Sequence, residues 1–151
     1  GKEEDRGQHN TPGYTAYAHG AAMLVKKEVV EKVGMLPDLF FIYYEELDWS
    51  AHIRRAGYKI YYQPEALIFH KESITMGKES AIKAYYHNRN RILFMRRNTS
   101  GFHFLLFSLF FTFFIAPKNV ATYLFKGQTT HLRNFFRGLI WNIRTQKYSN
   151  L

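Results

Sequence analysis

The 151-residue chain contains no cysteine. That excludes a disulfide framework and any thiolate metal site, and it fits a reducing compartment. Acid is missing from the second half. All 12 Asp and Glu lie at or before Glu79. Residues 1–79 carry 10 Lys and Arg beside those acids, whereas residues 80–151 carry 11 Lys and Arg and no acid. A stretch of one sign is expected to meet an anionic partner: phosphate, lipid head groups or nucleic acid. The opening Gly1-Lys2-Glu3-Glu4-Asp5-Arg6-Gly7 is charged and has no apolar core, so no secretory signal is expected there. There is no internal repeat and no low-complexity linker. The length suffices for one domain with a real core.

The second half is aromatic as well as basic. Phe102 to Phe114 holds seven phenylalanines, with Arg91, Arg96 and Arg97 before it and Lys118 and Lys126 after it. Phe104 to Ala116 is an uncharged run of 13 residues, short of the roughly 20 that span a bilayer core. Pro117, Lys118 and Asn119 interrupt any extension. The expectation is a membrane-surface or shallow re-entrant element with its basic residues on anionic head groups. A buried core helix is the alternative, because periodicity does not separate the two.

Chemistry concentrates in Tyr43-Tyr44-Glu45-Glu46-Leu47-Asp48, behind Phe40 and Phe41, with His70 lying 24 residues beyond Glu46. Acids against apolar surface are costly unless something pairs or uses them. Desolvation and a neighbouring carboxylate both raise an acid's pKa, which suits a general base. Acids that serve only a helix dipole are the plainer reading.

The first half reads as α+β and the second as helical. A strand is expected over 14–25 and a short helix over 28–33, closed by Gly34. A second helix is expected over 45–56, with its acids in the first turn, Arg54 and Arg55 in the last and Gly57 as its cap. Strands are expected over 58–62 and 66–69, the latter delivering His70. Further helices are expected over 80–97, about 102–125 and 130–145.

Six elements then fall in a familiar order: Gly20-Ala21-Ala22-Met23-Leu24, Val33-Gly34, Glu45-Glu46-Leu47-Asp48, Arg54-x-x-Gly57-Tyr58-Lys59-Ile60, Pro64-x-Ala66-x-x-x-His70 and Tyr86-x-x-Arg89-Asn90. Over residues 14–100 this resembles the C-terminal half of family 2 glycosyltransferases of the rhamnosyltransferase-like kind. The resemblance implies an α/β fold, the C-terminal part of a GT-A nucleotide-diphospho-sugar transferase, followed by a helical, Phe-rich tail. It implies an acceptor-side half over 1–100 and a membrane-associated tail over 101–151. The reaction it implies is inverting transfer of a sugar from a nucleotide-diphospho-sugar to a polysaccharide or lipid-linked acceptor.

The same resemblance assigns roles. Glu46 stands where the family's base, usually aspartate, is found; glutamate adds a methylene. Glu45 and Asp48 are supporting acids. His70 corresponds to a histidine that helps hold a divalent metal, Mn²⁺ or Mg²⁺, on the donor diphosphate; imidazole suits the former better. Arg89, Asn90 and Tyr86 lie on a helix whose face is expected toward the diphosphate or a lipid-linked phosphate.

No Asp-x-Asp motif and no Gly-rich phosphate loop is present. The expectation is therefore a fragment that lacks the nucleotide-binding half and is inactive alone. Its location would be cytoplasmic, peripheral to the inner face of the cell membrane. An unpaired sheet edge makes a homo-oligomer a further expectation. A non-catalytic adaptor docking on anionic lipid through the basic Phe-rich tail is the alternative function. Nucleic acid is not expected as a partner, since no stacking or groove-reading motif accompanies the charge.

Overall fold

The computed structural model describes residue 4, residues 6–69 and residues 80–145. The chain forms two compact units interleaved in sequence. One comprises residues 1–39 and 45–72, the other residues 40–44 and 73–151. The described residues are mixed α and β, with helices dominant and one small sheet.

In the first unit, strand β1 (Gly13–Thr15) pairs antiparallel with β2 (Ile60–Tyr62), with Tyr14 opposite Tyr61. Helices α1 (Lys27–Val33) and α2 (Glu45–Arg55) supply the core. Val29, Trp49 and Ile53 are buried, and Met23, Val25, Leu36, Tyr58 and Ile60 pack around them. Helix α2 ends where the sequence says it should. Gly57 takes φ 92°, a left-handed conformation that costs glycine little, and the Tyr58 N–H closes on Ile53 O at 3.2 Å. The Trp49 indole N–H donates to Gly34 O at 2.8 Å and ties α2 to the end of α1.

Two sequence expectations change here. The strand expected over 14–25 pairs only as far as Thr15, because β2 is three residues long and offers no further ladder. Around Gly20 the chain turns instead, with Ala22 N–H bonded to His19 O at 3.1 Å. The strand expected over 66–69 does not form. A turn bonds Ala66 N–H to Gln63 O, and Leu67, Ile68 and Phe69 are exposed with no neighbouring strand among the described residues.

The second unit consists of residues 40–44, α3 (Ala81–Asn98), α4 (Gly101–Phe110), a π-helical turn (Phe111–Ile115), α5 (Ala116–Phe125) and α6 (Thr129–Arg144). Ser80 and Ser100 cap α3 and α4 by accepting from Lys83 N–H and His103 N–H. Helices α3 and α6 pack closely over Leu93 and Phe135, both fully buried. Gly138 permits this: a β-carbon there would lie 2.9 Å from Tyr85 O and 3.3 Å from the Arg89 nitrogen. Asn142 and Asn134 stitch the same interface, donating to Arg89 O at 2.9 Å and Ala81 O at 3.0 Å.

Pro117 does not break the long helix. The π turn just before it absorbs the missing donor, with Ala116 N–H bonded to Phe111 O five residues back. Gly101–Phe125 is thus one run of 25 residues, long and apolar enough by length and composition to cross a membrane. Its length, about 37 Å, exceeds the roughly 30 Å of a hydrocarbon core. One face packs inside the unit through Phe104, Phe107 and Phe111. The other presents Leu105, Leu106, Leu109, Phe110, Phe113, Phe114, Leu124 and Phe125 outward.

Candidate functional site

The three acids proposed from sequence share the first turn of α2. Their positions are not equivalent. Asp48 is fully buried and pairs with His52 one turn on, at 3.6 Å, which makes it a fixed part of the unit. Glu45 and Glu46 are only partly buried as residues. Yet each holds one carboxylate oxygen, Oε2, buried and without a hydrogen-bond partner among the described residues. Burial holds the Glu45 carboxyl above the ordinary carboxylate range. Its own backbone N–H opposes that shift, and the neighbouring charge of Glu46 adds to it. The backbone of Gly20 lies over Glu46, where a β-carbon would come within 3.7 Å of the Glu46 β-carbon. An acid kept short of partners is a base waiting for a proton donor.

Tyr86, Arg89 and Asn90 are brought together on α3, in the second unit. Asn90 is fully buried. Its amide nitrogen lies 2.9, 2.7 and 2.8 Å from the carbonyl oxygens of Phe40, Ile42 and Tyr43, all of which accept from it. Arg89 donates to Asn90 Oδ1 at 2.7 Å and to Phe40 O at 2.8 Å, and its guanidinium stacks on Tyr86 and Trp141. The carbonyls need this grip. Phe41, Tyr43 and Tyr44 adopt φ of 63°, 65° and 76°, a region bulky residues avoid. Ring stacking completes the hold: Phe41 on Tyr86 at 5.2 Å and Tyr43 on His87 at 4.3 Å. These interactions make Arg89 and Asn90 a clamp on residues 40–44, the segment that runs into Glu45 along the chain.

The metal expectation rests on His70, which lies outside the described residues. Among the described residues no three of His, Cys, Asp and Glu gather to hold an ion, so the acids of α2 alone do not form a metal site. Sequence reasoning missed Asn142, whose side chain bonds Arg89 O and accepts from Arg96 at 2.8 Å. A polar residue at buried helical spacing was its one signal.

No protein-family model matches the chain, and no solved structure matches it. Several curated proteins do. A low-salt glycan biosynthesis hexosyltransferase, Agl10, of Haloferax volcanii is 32% identical over 78 residues, covering 51% of this chain and 25% of that protein. An N-acetylglucosaminyl-diphospho-decaprenol L-rhamnosyltransferase of Mycobacterium tuberculosis is 26% identical over 82 residues, 54% of this chain and 27% of that protein. A dTDP-rhamnosyl transferase, RfbF, of Shigella flexneri is 28% identical over 102 residues, 60% of this chain and 34% of that protein. The chain therefore spans about a quarter to a third of the length of the curated relatives it matches. Over roughly half of its own length, it is related to glycosyltransferases.

Proposed function

We propose that this chain is the acceptor-side portion of an inverting family 2 glycosyltransferase of GT-A fold, with Glu46 as its base. The carrying observation is the pair of buried, unpartnered carboxylate oxygens on Glu45 and Glu46 at the start of α2. The acceptor hydroxyl loses its proton to Glu46 as its oxygen bonds to the anomeric carbon of the donor sugar. The bond from that carbon to the diphosphate oxygen breaks, and nucleoside diphosphate leaves with the electron pair. Attack opposite the leaving group inverts the configuration. Glu45, its carboxyl held above the ordinary carboxylate range by burial, stands beside Glu46 as a supporting acid. His70 is the residue proposed to hold a divalent ion beside the donor diphosphate.

The relatives' names support hexosyl or rhamnosyl transfer to a glycan or lipid-linked acceptor. The apolar outer face of Gly101–Phe125 supports a membrane-bound acceptor; the inner face of the cell membrane is its proposed location. The test is transfer by the full-length protein from a panel of nucleotide-sugars with Mn²⁺ or Mg²⁺, using membrane extract as acceptor. Glu46→Gln is expected to lose at least about 100-fold, the size of a general-base contribution. An unimpaired Glu46→Gln would remove Glu46 from the role.

The exposed apolar helix face also favours a second reading, a non-catalytic adaptor docked on anionic lipid. Absence of transfer from every donor, with vesicle binding intact, would select it.

A further inference from the structure

A concave site lies wholly within the second unit and takes no part in the chemistry above. It is a polar groove of about 310 Å³, at the lower end of the roughly 300–1,000 Å³ typical of small-molecule sites. Lys83, His87 and Arg91 enter it from successive turns of α3. Lys126 enters from the end of α5, and His131 from the first turns of α6. Asn88, Asn119 and Thr122 add neutral polar atoms. No acid lines the groove among the described residues, and none of Lys83, Arg91 and Lys126 is in an ion pair there. Glu79, next in sequence to Ser80 on the rim, lies outside the described residues.

What these cations touch is aromatic and neutral. Lys83 lies over the Tyr43 ring and Arg91 donates to the Tyr44 hydroxyl at 3.2 Å. Three fixed positive charges converging without a counter-charge repel one another, and an anion in their midst relieves that cost. The field is felt inside the groove. Burial, then Lys83 and Arg91, push the His87 imidazole down to about 4, so that it is neutral at pH 7.

The groove's position chooses among anions. Its wall includes Thr122, Tyr123 and Lys126, the last turn of the long apolar helix and its cap. Leu124 and Phe125 of that same turn face outward, Phe125 almost fully exposed. A phosphate in the groove therefore has apolar surface within one helical turn, as an amphiphile's head group requires.

We propose that this groove binds the diphosphate head of a membrane-borne lipid, with Lys83, Arg91 and Lys126 as its anchors. This deepens the glycosyltransferase reading, since it gives a lipid-linked acceptor its anchoring point. The binding itself needs no catalysis.

The test uses the full-length protein and vesicles of phosphatidylcholine doped with a polyprenyl diphosphate, or with phosphatidylglycerol at equal charge. The readout is the ratio of the two affinities, which cancels general surface attraction. Wild type is expected to favour the diphosphate at least about tenfold. The triple variant Lys83→Gln/Arg91→Gln/Lys126→Gln is expected to bring the ratio near one, since a hydrogen bond from a charged donor to phosphate is worth about tenfold or more in affinity. Arg133→Gln/Arg144→Gln, on the exposed side of α6, is expected to leave the ratio unchanged. Lys126→Gln alone, at an exposed position, carries the test if the triple variant misfolds and is expected to lower the ratio several-fold. An unchanged ratio in the groove variants overturns the proposal. So does inorganic diphosphate binding as tightly as the lipid form, which would assign the groove to a soluble anion. Nuclear magnetic resonance of His87 gives a second readout: bound diphosphate should raise its titration midpoint, and no shift counts against the site. Glu46→Gln should keep the ratio. A base assignment that fails is thereby told apart from a groove that fails.

Discussion

Replacing Asn90 by alanine tests the clamp on residues 40–44 most directly. One amide with two N–H groups faces three carbonyl acceptors, at 2.7–2.9 Å, so at least one bond is shared. Phe40 O keeps the Arg89 guanidinium after the substitution. Ile42 O and Tyr43 O lose their Asn90 donor. An unsatisfied, partly buried carbonyl costs about 1–3 kcal/mol, and the lower half of that range suits groups not fully shielded from water. The expected loss is therefore about 2–4 kcal/mol. For a chain of this size that is roughly 4–16 °C in Tm. The three left-handed residues, each storing about 1–2 kcal/mol, are held by the clamp together with the Phe41–Tyr86 and Tyr43–His87 ring contacts, so loss of the donor should favour local opening of this segment. Asn90→Asp keeps the size and the acceptor for Arg89 but removes the N–H donors, and it should fall in the same range. Thermal unfolding of the full-length protein followed by circular dichroism measures both, and hydrogen exchange should show residues 40–44 opening first. A melt within about 2 °C of wild type for both variants would refute the argument, since the strained segment would then stand without its donor.

Other outcomes follow from the same geometry. Glu45→Gln should raise Tm at pH 7 and not at pH 4. Its carboxyl is held above the ordinary value of 4.5, so the fold favours the neutral form, and that stability is present below pH 4.5 and lost as pH rises through the raised value. The His87 imidazole runs the other way: with its folded value near 4 against 6.5, stability is present above pH 6.5 and falls as pH drops toward 4. After allowance for its partial exposure the change is about 1–2 kcal/mol, and His87→Gln should flatten that part of the pH–Tm profile. Gly138→Ala should cost about 1–2 kcal/mol by urea unfolding. Its β-carbon would meet backbone at 2.9 Å, which outweighs the roughly 1 kcal/mol of helix propensity gained. Phe110→Ser/Phe113→Ser/Phe114→Ser should weaken vesicle binding about 100-fold, at about 1 kcal/mol for each half-buried ring.

The helices were legible because their signals are local. The sequence determined by itself that α2 runs from the acids at Glu45 to a stop at Gly57, that α3 begins within a residue of Ser80, and that charge divides the chain at Glu79. It also determined that Glu45 and Glu46 stand together, since adjacency and a first-turn position need no folding partner. Tertiary structure decided the rest. Strand length depends on what lies opposite, so β1 stops at Thr15 and residues 66–69 pair with nothing described. Pro117 is compatible with a continuous helix only because the π turn before it re-routes one bond, which no propensity scale foresees. The role of Asn90 depends on three carbonyls 47–50 residues away along the chain, and the groove depends on Lys83, Arg91 and Lys126 converging from different helices. Pairings of that span have no signature in a linear pattern. They exist because α3 and α6 bury their apolar faces together and α5 packs against α6, and the polar groups carried with them are left to find one another.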